Sequence, residues 1–127
     1  MNNKLRQTLG KQERLHGKSQ ISRLFTKGNT FYIYPFKVIY LTETSDEPER
    51  PKILISVSKK NLKKAVDRNK VKRLVREAYR TNKALLFEES RSSLLFGLIY
   101  TAKTILSYTE IEKKIILILH RLKEQDE

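Results

Sequence analysis

Apolar residues recur along the chain with two different periods, which predict both helices and strands. A short helix is predicted where Ile21, Leu24 and Phe25 share one face. Ser19 is predicted as its N-cap, because a serine hydroxyl accepts from the free backbone N–H groups of a first turn. Gly28 is predicted to end the helix, since glycine tolerates the backbone conformations found there.

Three other stretches have the composition of strands. FYIYPFKVIYL (31–41) is β-branched and aromatic, but Pro35 cannot donate to a sheet ladder and therefore marks an edge, a bulge or a break. KILISVS (52–58) alternates in polarity, as expected for a strand with one better-buried face. SLLFGLIYTA (93–102) is apolar on both faces and is predicted to be a central strand. The polar stretch at 44–51 is predicted to be a hairpin connection.

A helix is predicted to close the chain. Its sequence, SYTEIEKKIILILHRL, has a helical apolar period, and Ser107 with Glu110 forms a candidate capping box. The length of the chain predicts one domain, residues 1–127, in which the order of residues 1–12 is left open. The succession of elements predicts an α+β fold of two layers, helices packed on a sheet.

Charge is concentrated in one part of the chain. There are 27 Lys and Arg against 14 Asp and Glu, so the net charge is +13. Residues 59–80 carry ten of the cations and two acids, a net charge of +8. Such a concentration attracts polyanions, among which phosphate backbones are the commonest. The alternative interpretation, a solvated charged face, normally has acids interspersed, so nucleic acid is the favoured partner.

The basic segment also has a helical period. At ~100° per residue, six of its basic residues and one asparagine fall within about 140° of arc, opposite its apolar residues. The first set is called the basic face here and consists of Arg68, Asn69, Lys72, Arg73, Arg76, Arg80 and Lys83. The apolar set is Val71, Leu74, Val75 and Ala78, with Tyr79 at the border. Like charges this close destabilise a helix, so the basic face is predicted to bind phosphates, which arginine can bond through two oxygens at once.

Composition excludes several other classes of protein. The absence of cysteine rules out disulfides and Cys-based zinc sites, and it fits a reducing cytoplasm, the predicted location. Residues 1–14 lack the apolar core of a secretory signal, and the longest apolar runs are too short to cross a membrane, so a soluble protein is predicted. His16 and His120 are not at metal-ligand spacing, and no protein-borne catalytic or metal site is predicted.

The segment SVSKKNLKKAVDRNKVKRLVREAYR (56–80) resembles the signature of the bacterial ribonuclease P protein subunit. The core of that signature is an Arg-Asn pair followed by Lys-Arg and a further Arg on one helix. Upstream, KQERLHGKSQISRLFTKG (11–28) resembles the family's first helix and its flanks, with Phe25 and Gly28 in matching places. Tyr40 matches an aromatic strand position, and the C-terminal strand and helix match by pattern only.

This resemblance implies the accessory subunit of an endoribonuclease, which binds a large catalytic RNA and helps it remove the 5′ leader of precursor tRNA. In that family the RNA performs the hydrolysis with Mg²⁺, so the protein is expected to bind no cofactor alone and to supply no catalytic residue. The expected partners are the catalytic RNA and precursor tRNA, not DNA or a membrane. The residues expected to bind RNA are Lys59, Lys60, Arg68, Asn69, Lys72, Arg73, Arg76 and Arg80.

A second surface is expected for the leader, because single-stranded RNA binds to aromatic side chains beside basic groups. Phe36 and Val38 share a predicted strand face with Tyr40 and are candidates for it, although core positions are the favoured interpretation for both. The resemblance favours Phe25 and Tyr40, with serines as polar neighbours. The predicted leader groove consists of Phe25, Tyr40, Ser56 and Ser58.

The resemblance also implies a topology. The strands at 53–58 and 94–101 are expected to lie in one mixed sheet, and the helix between them to make a left-handed crossover, although about 98% of such connections are right-handed. Two rival functions remain open. A ribosomal protein or ribosome-assembly factor would share the charge and the α+β build. A DNA-binding regulator would need a short helix and tight turn before the basic helix, where the sequence predicts a strand.

Overall fold

The computed structural model describes residues 14–15, 17–44, 50–87 and 92–125. Its elements are α1 (Lys18–Lys27), β1 (Asn29–Ile33), β2 (Phe36–Thr44), β3 (Lys52–Val57), α2 (Ala65–Asn82), α3 (Ala84–Phe87), β4 (Ser92–Tyr100) and α4 (Tyr108–Gln125). This order confirms the predicted α+β class and adds a short helix, α3. His16 and residues 1–12 lie outside the described residues. Within the part of the chain just given, none of the helices combines the length and apolar character needed to span a bilayer.

The four strands form one sheet in the order β1-β2-β4-β3. β2 pairs antiparallel with both β1 and β4, whereas β3 and β4 are parallel. β4 is therefore a central strand, as predicted, and α2 and α3 lie in the crossover between the parallel strands. The hairpin predicted between β2 and β3 is wrong, because β4 lies between these two strands in the sheet. The left hand of the β3–β4 crossover stays a prediction.

Helices pack on both faces of the sheet. The face called the α2–α4 face carries the larger core, which includes Val38 and Phe96. The opposite face, called the α1 face, carries a smaller core in which Leu24 of α1 packs with Ile39 and Leu95. The predicted two layers are the sheet and the α2–α4 helices, and α1 partly covers the other side.

The strand predicted at 31–41 is divided at Pro35, as its missing N–H suggested. Tyr34 and Pro35 form the turn between β1 and β2 and are joined by a cis peptide bond. Thr101, just after β4, donates its backbone N–H to the Pro35 carbonyl over 2.8 Å and its hydroxyl to the same oxygen over 2.9 Å. The turn is thus held against the end of the central strand.

The helix ends agree with the sequence except at one cap. Gly28 ends α1 and donates its N–H to a carbonyl of the last turn over 2.9 Å. At α4, Glu110 donates its N–H to Ser107 Oγ over 3.2 Å, and the Ser107 hydroxyl donates to the Glu110 carboxylate, which confirms this predicted pairing. Ser19 is not the N-cap of α1, because the helix begins earlier and the cap residue is Gly17.

Gly28→Ala is expected to destabilise the protein. A Cβ at this position would overlap the Leu24 carbonyl oxygen and lie 2.9 Å from Ile39 Cγ1, so α1 would have to move away from β2. Overpacking of this kind costs roughly 1–3 kcal/mol, which urea denaturation would measure. Gly17→Ala is the matched control, because its Cβ would lie 3.8 Å from the nearest heavy atom, Gln20 Oε1. Equal stability of the two variants would contradict this expectation.

Candidate nucleic-acid interface

Helix α2 turns one side to the protein interior and the other side to solvent. Val71, Val75, Ala78 and Tyr79 are buried, and the Tyr79 ring meets Phe96 on β4 with 5.8 Å between centroids. The predicted outward orientation of the basic face is confirmed for all but one of its residues. The exposed or partly exposed residues are Arg68, Asn69, Lys72, Arg73, Arg76 and Arg80.

The end of the basic face differs from the prediction at two residues. Lys83 is only 2% exposed, because α2 ends at Asn82 and the chain turns there into α3, so the helical period no longer applies. Arg80 is partly exposed, but its guanidinium donates to the Glu77 carboxylate over 2.6 and 3.0 Å. The hydrogen bond from Arg80 holds the pKa of Glu77 below its usual value. The pair therefore adds little net charge to the surface.

Arg68 holds the loop that precedes α2. Its Nη1 group donates to the carbonyl oxygens of Leu62 and Lys63, each over 2.8 Å. Hydrogen bonds from charged donors are worth about 1.5–3 kcal/mol each. A guanidinium has further N–H groups on Nε and Nη2, so phosphate binding by the same side chain stays compatible with this role. No pattern in the sequence distinguishes the structural role from an RNA contact.

The loop between β3 and α2 is anchored at two further points. Leu62 is buried in the core, and its N–H donates to the Ser58 carbonyl over 3.0 Å. The side-chain amide of Asn61 donates to the Thr101 carbonyl over 2.8 Å. Together with the hydrogen bonds of Arg68, these contacts fix the backbone of the loop. The Cα atoms that carry its exposed side chains therefore have defined positions.

This loop extends the basic face toward the end of the sheet. All four of its lysines are exposed, and Lys64 is the N-cap residue of α2. Sequence reasoning selected Lys59 and Lys60 as site residues but not Lys63 and Lys64, although all four belong to the same run of charge. The loop lysines and the exposed residues of the basic face are called the cationic surface below. The loop lysines are Lys59, Lys60, Lys63 and Lys64.

A second surface lies on the α1 face of the sheet. Four residues face one another in register across the strands: Tyr32 pairs with Lys37, Lys37 with Ile99, and Ile99 with Ser56. Because side chains alternate along a strand, all four lie on the same side as Ile39, on which α1 packs. Tyr32 is exposed and the other three are partly exposed, so α1 leaves this cross-strand row open. Of these four residues, sequence reasoning selected only Ser56. The other three come to lie beside it only through the pairing of the strands, which the sequence does not show.

Phe25 leaves α1 on the side of the cross-strand row. Arg23 and Phe25 lie on opposite sides of the sheet-facing Leu24. At ~100° per residue, they are separated by about 160° around the solvent side of the helix. Arg23 forms an ion pair with Glu43, Nε to Oε2 3.0 Å, near the end of β2 that is farther from Lys37. Phe25 therefore points toward the row, and it is 49% exposed.

Tyr40 does not share a groove with Phe25. The alternation of β2 places Tyr40 on the α2–α4 face, where its ring packs against Phe31 with 5.7 Å between centroids. Phe36 and Val38 are fully buried on that face, which confirms the core interpretation of both. The prediction of one groove lined by Phe25 and Tyr40 is wrong, because the sheet separates them.

The two surfaces meet at the carboxyl end of β3. Ser58 lies just beyond this strand, is partly exposed, and donates its N–H to the Tyr100 carbonyl over 3.4 Å. It follows Ser56 of the cross-strand row and precedes Lys59 of the cationic surface.

His120 is exposed on α4. Across the described ranges, no three His, Cys, Asp or Glu residues come together as metal ligands would.

The fold and these surfaces define a class: a small, strongly basic α+β protein with a cationic helix on one face of its sheet and an exposed cross-strand row on the other. Comparison with known proteins gives the family. A sequence profile of the family described as Ribonuclease P matches residues 9–123. The chain belongs to the ribonuclease P protein family.

Curated relatives agree with this assignment. The Ribonuclease P protein component of Chlorobium phaeobacteroides is 33% identical over 129 residues, which cover 91% of this chain and 88% of the relative. That of Porphyromonas gingivalis is 46% identical over 78 residues, which cover 61% of this chain. The aligned part spans 57% of the length of the Porphyromonas protein.

Solved structures extend the similarity to the fold. The RNase P protein from Thermotoga maritima superposes with a TM-score of 0.69 at 25% identity, covering 86% of this chain and 96% of that one. The Staphylococcus aureus RNase P protein superposes with a TM-score of 0.66 at 26% identity, covering 87% and 95% of the two chains. The α+β arrangement is thus shared over most of each chain.

Proposed function

We propose that this chain is the protein subunit of ribonuclease P. In this role it binds the catalytic RNA subunit and the 5′ leader of precursor tRNA, and so assists the Mg²⁺-dependent endonucleolytic removal of the leader. The observation that carries the proposal is the cationic surface, in which the helix bearing the family signature turns its basic residues outward beside an anchored, lysine-rich loop. A partner with a phosphate backbone complements this surface in charge.

The cationic surface is suited to a large folded RNA. It is carried by an 18-residue helix and by a loop that Leu62, Asn61 and Arg68 anchor. The backbone that carries its charged side chains is therefore ordered before binding, which lowers the conformational entropy lost on association. Contacts of this kind fix the position and orientation of a protein on a nucleic acid without reading its sequence.

The exposed part of the α1 face, formed by Phe25 and the cross-strand row, is called the open groove here and is suited to the leader. Phe25 offers an aromatic ring, Lys37 a cation and Ser56 a hydroxyl. These are the kinds of group that hold single-stranded RNA. Because this groove meets the cationic surface at the carboxyl end of β3, one RNA assembly can occupy both without crossing the body of the protein.

The hydrolysis is assigned to the RNA subunit and its Mg²⁺ ions. A protein-borne two-metal site needs clustered carboxylates. The acids of the basic segment are Asp67 and Glu77, and Glu77 is engaged by Arg80. The protein alone is therefore expected not to cut RNA.

Reconstitution tests the proposal directly. Purified protein, the catalytic RNA from the same source and a precursor tRNA are combined at low Mg²⁺ concentration, and leader removal is followed on a gel. The protein is expected to accelerate cleavage there, because its cations offset the phosphate repulsion that Mg²⁺ otherwise screens. Protein without RNA subunit is the control and should give no cleavage. Unchanged cleavage on adding the protein, together with cosedimentation with ribosomal subunits, would favour the ribosomal alternative.

A further inference from the structure

Tyr32 is an exposed aromatic residue at the open end of the cross-strand row. It lies on β1, which ends the order of the described strands, and its side chain is 61% exposed. Its neighbour Phe31 is buried on the opposite face, beneath the guanidinium of Arg121. Because the core is filled without it, the Tyr32 ring has no evident role in stabilising the fold.

We propose that Tyr32 is a base-stacking residue for the tRNA leader, and that Lys37 beside it binds the adjoining phosphate. This inference rests on the proposed function and extends the leader groove from Phe25 to the outer edge of the sheet. Adjacent strands are about 4.8 Å apart, so the row from Ser56 to Tyr32 spans about 14 Å. That length accommodates several nucleotides, whose bases are about 3.4 Å apart when stacked.

The surroundings of Tyr32 favour RNA over an apolar peptide. Its partner across the strands is Lys37, the row continues to the hydroxyl of Ser56, and the loop beyond β3 carries exposed lysines. The chain as a whole carries a net charge of +13. An aromatic ring next to cations is the combination that holds single-stranded nucleic acid, in which every base has a π-face.

The chain also offers a matched control. Tyr34 is 62% exposed, much like Tyr32, but it lies in the turn rather than in the row. The last residue pair between β1 and β2 is Ile33 with Phe36, so Tyr34 lies beyond the paired positions and is not part of the cross-strand row. Tyr34→Ala thus removes an equally exposed ring outside the groove.

The test compares holoenzymes that contain Tyr32→Ala, Tyr32→Phe, Tyr32→Thr or Tyr34→Ala with wild type. Equilibrium binding is measured for mature tRNA and for precursor tRNAs with leaders of about two and about ten nucleotides. Tyr32→Ala is expected to weaken binding of the long-leader precursor at least about fivefold, the lower end of the loss of one stacked base. Mature tRNA should bind as before. Tyr32→Phe should restore affinity, because stacking needs the ring and not the hydroxyl.

Several outcomes would overturn the inference. Tyr32→Thr keeps a β-branched residue suited to a strand, so its melting temperature separates loss of the ring from loss of the fold. Wild-type affinity of a folded Tyr32→Thr variant for the long-leader precursor would exclude stacking at this position. An equal loss in Tyr34→Ala would show that the effect is not specific to the row. Failure of wild-type protein to favour precursor over mature tRNA would reject the proposed leader binding itself, and the inference with it.

Discussion

Replacing Lys72, Arg73 and Arg76 together by alanine is expected to weaken binding of the catalytic RNA subunit on the order of 50-fold at 0.15 M salt. Each phosphate contact adds about 0.7 to 0.9 to the slope of log affinity against log salt, because it releases condensed counterions. Loss of three contacts should therefore lower that slope by roughly two to three. Binding titrations at four or more salt concentrations measure the affinity and the slope together.

These three residues are the safest members of the basic face to remove. Arg73 and Arg76 are exposed, and Lys72 is partly exposed. Arg68 is left in place because its loss would also release the loop carbonyls that it holds. Arg80 is left because its partner Glu77 would then carry an unpaired charge.

A second triple variant controls for net charge. Lys113, Lys114 and Lys123 are exposed or partly exposed on α4, and their replacement by alanine removes the same formal charge from a neighbouring helix. A contact surface on α2 predicts a large loss in the first variant and a small loss in the second. Equal losses, with both variants folded by circular dichroism, would show a long-range effect of net charge and remove the basic face from the interface.

The basic face was predictable because it depends only on the period of one helix. Exposed Arg73 and Arg76 and buried Val75 and Tyr79 follow from ~100° per residue together with the presence of a sheet to pack on. The prediction failed at Lys83, where the helix had already ended. Helix ends depend on local contacts and turns that an apolar period does not encode.

The surface that we propose for the leader was harder to predict because it depends on strand pairing. Within β2, alternation alone separates Tyr40 from Lys37 onto opposite faces, but the sequence does not say which face α1 covers. The alignment of Tyr32 with Lys37 follows from the β1–β2 register, and Ser56 enters the same row only because β4 lies between β2 and β3. Such non-local pairing is set by the whole sheet, so a groove built across strands appears only in the structure.

Phe25→Ala is expected to weaken binding of precursor tRNA by the holoenzyme about five- to a hundredfold, and to leave binding of mature tRNA unchanged. Loss of one aromatic partner costs about 1–3 kcal/mol per stacked base, which corresponds to that range. The selectivity follows because mature tRNA lacks the leader. Paired equilibrium titrations with both tRNAs measure it, and the exposure of Phe25 predicts little change in melting temperature.

Tyr40→Ala is the matched aromatic variant, and the structure predicts a different result for it than for Phe25→Ala. Tyr40 packs against Phe31 on the α2–α4 face, so its truncation should lower the free energy of unfolding by roughly 0.5–3 kcal/mol without selective loss of the leader. A selective loss in Tyr40→Ala and none in Phe25→Ala would move the leader to the other face of the sheet. Equal weakening of both tRNAs by Phe25→Ala would instead make Phe25 a contact to the RNA subunit or to the body of the tRNA, because only the leader distinguishes the two ligands.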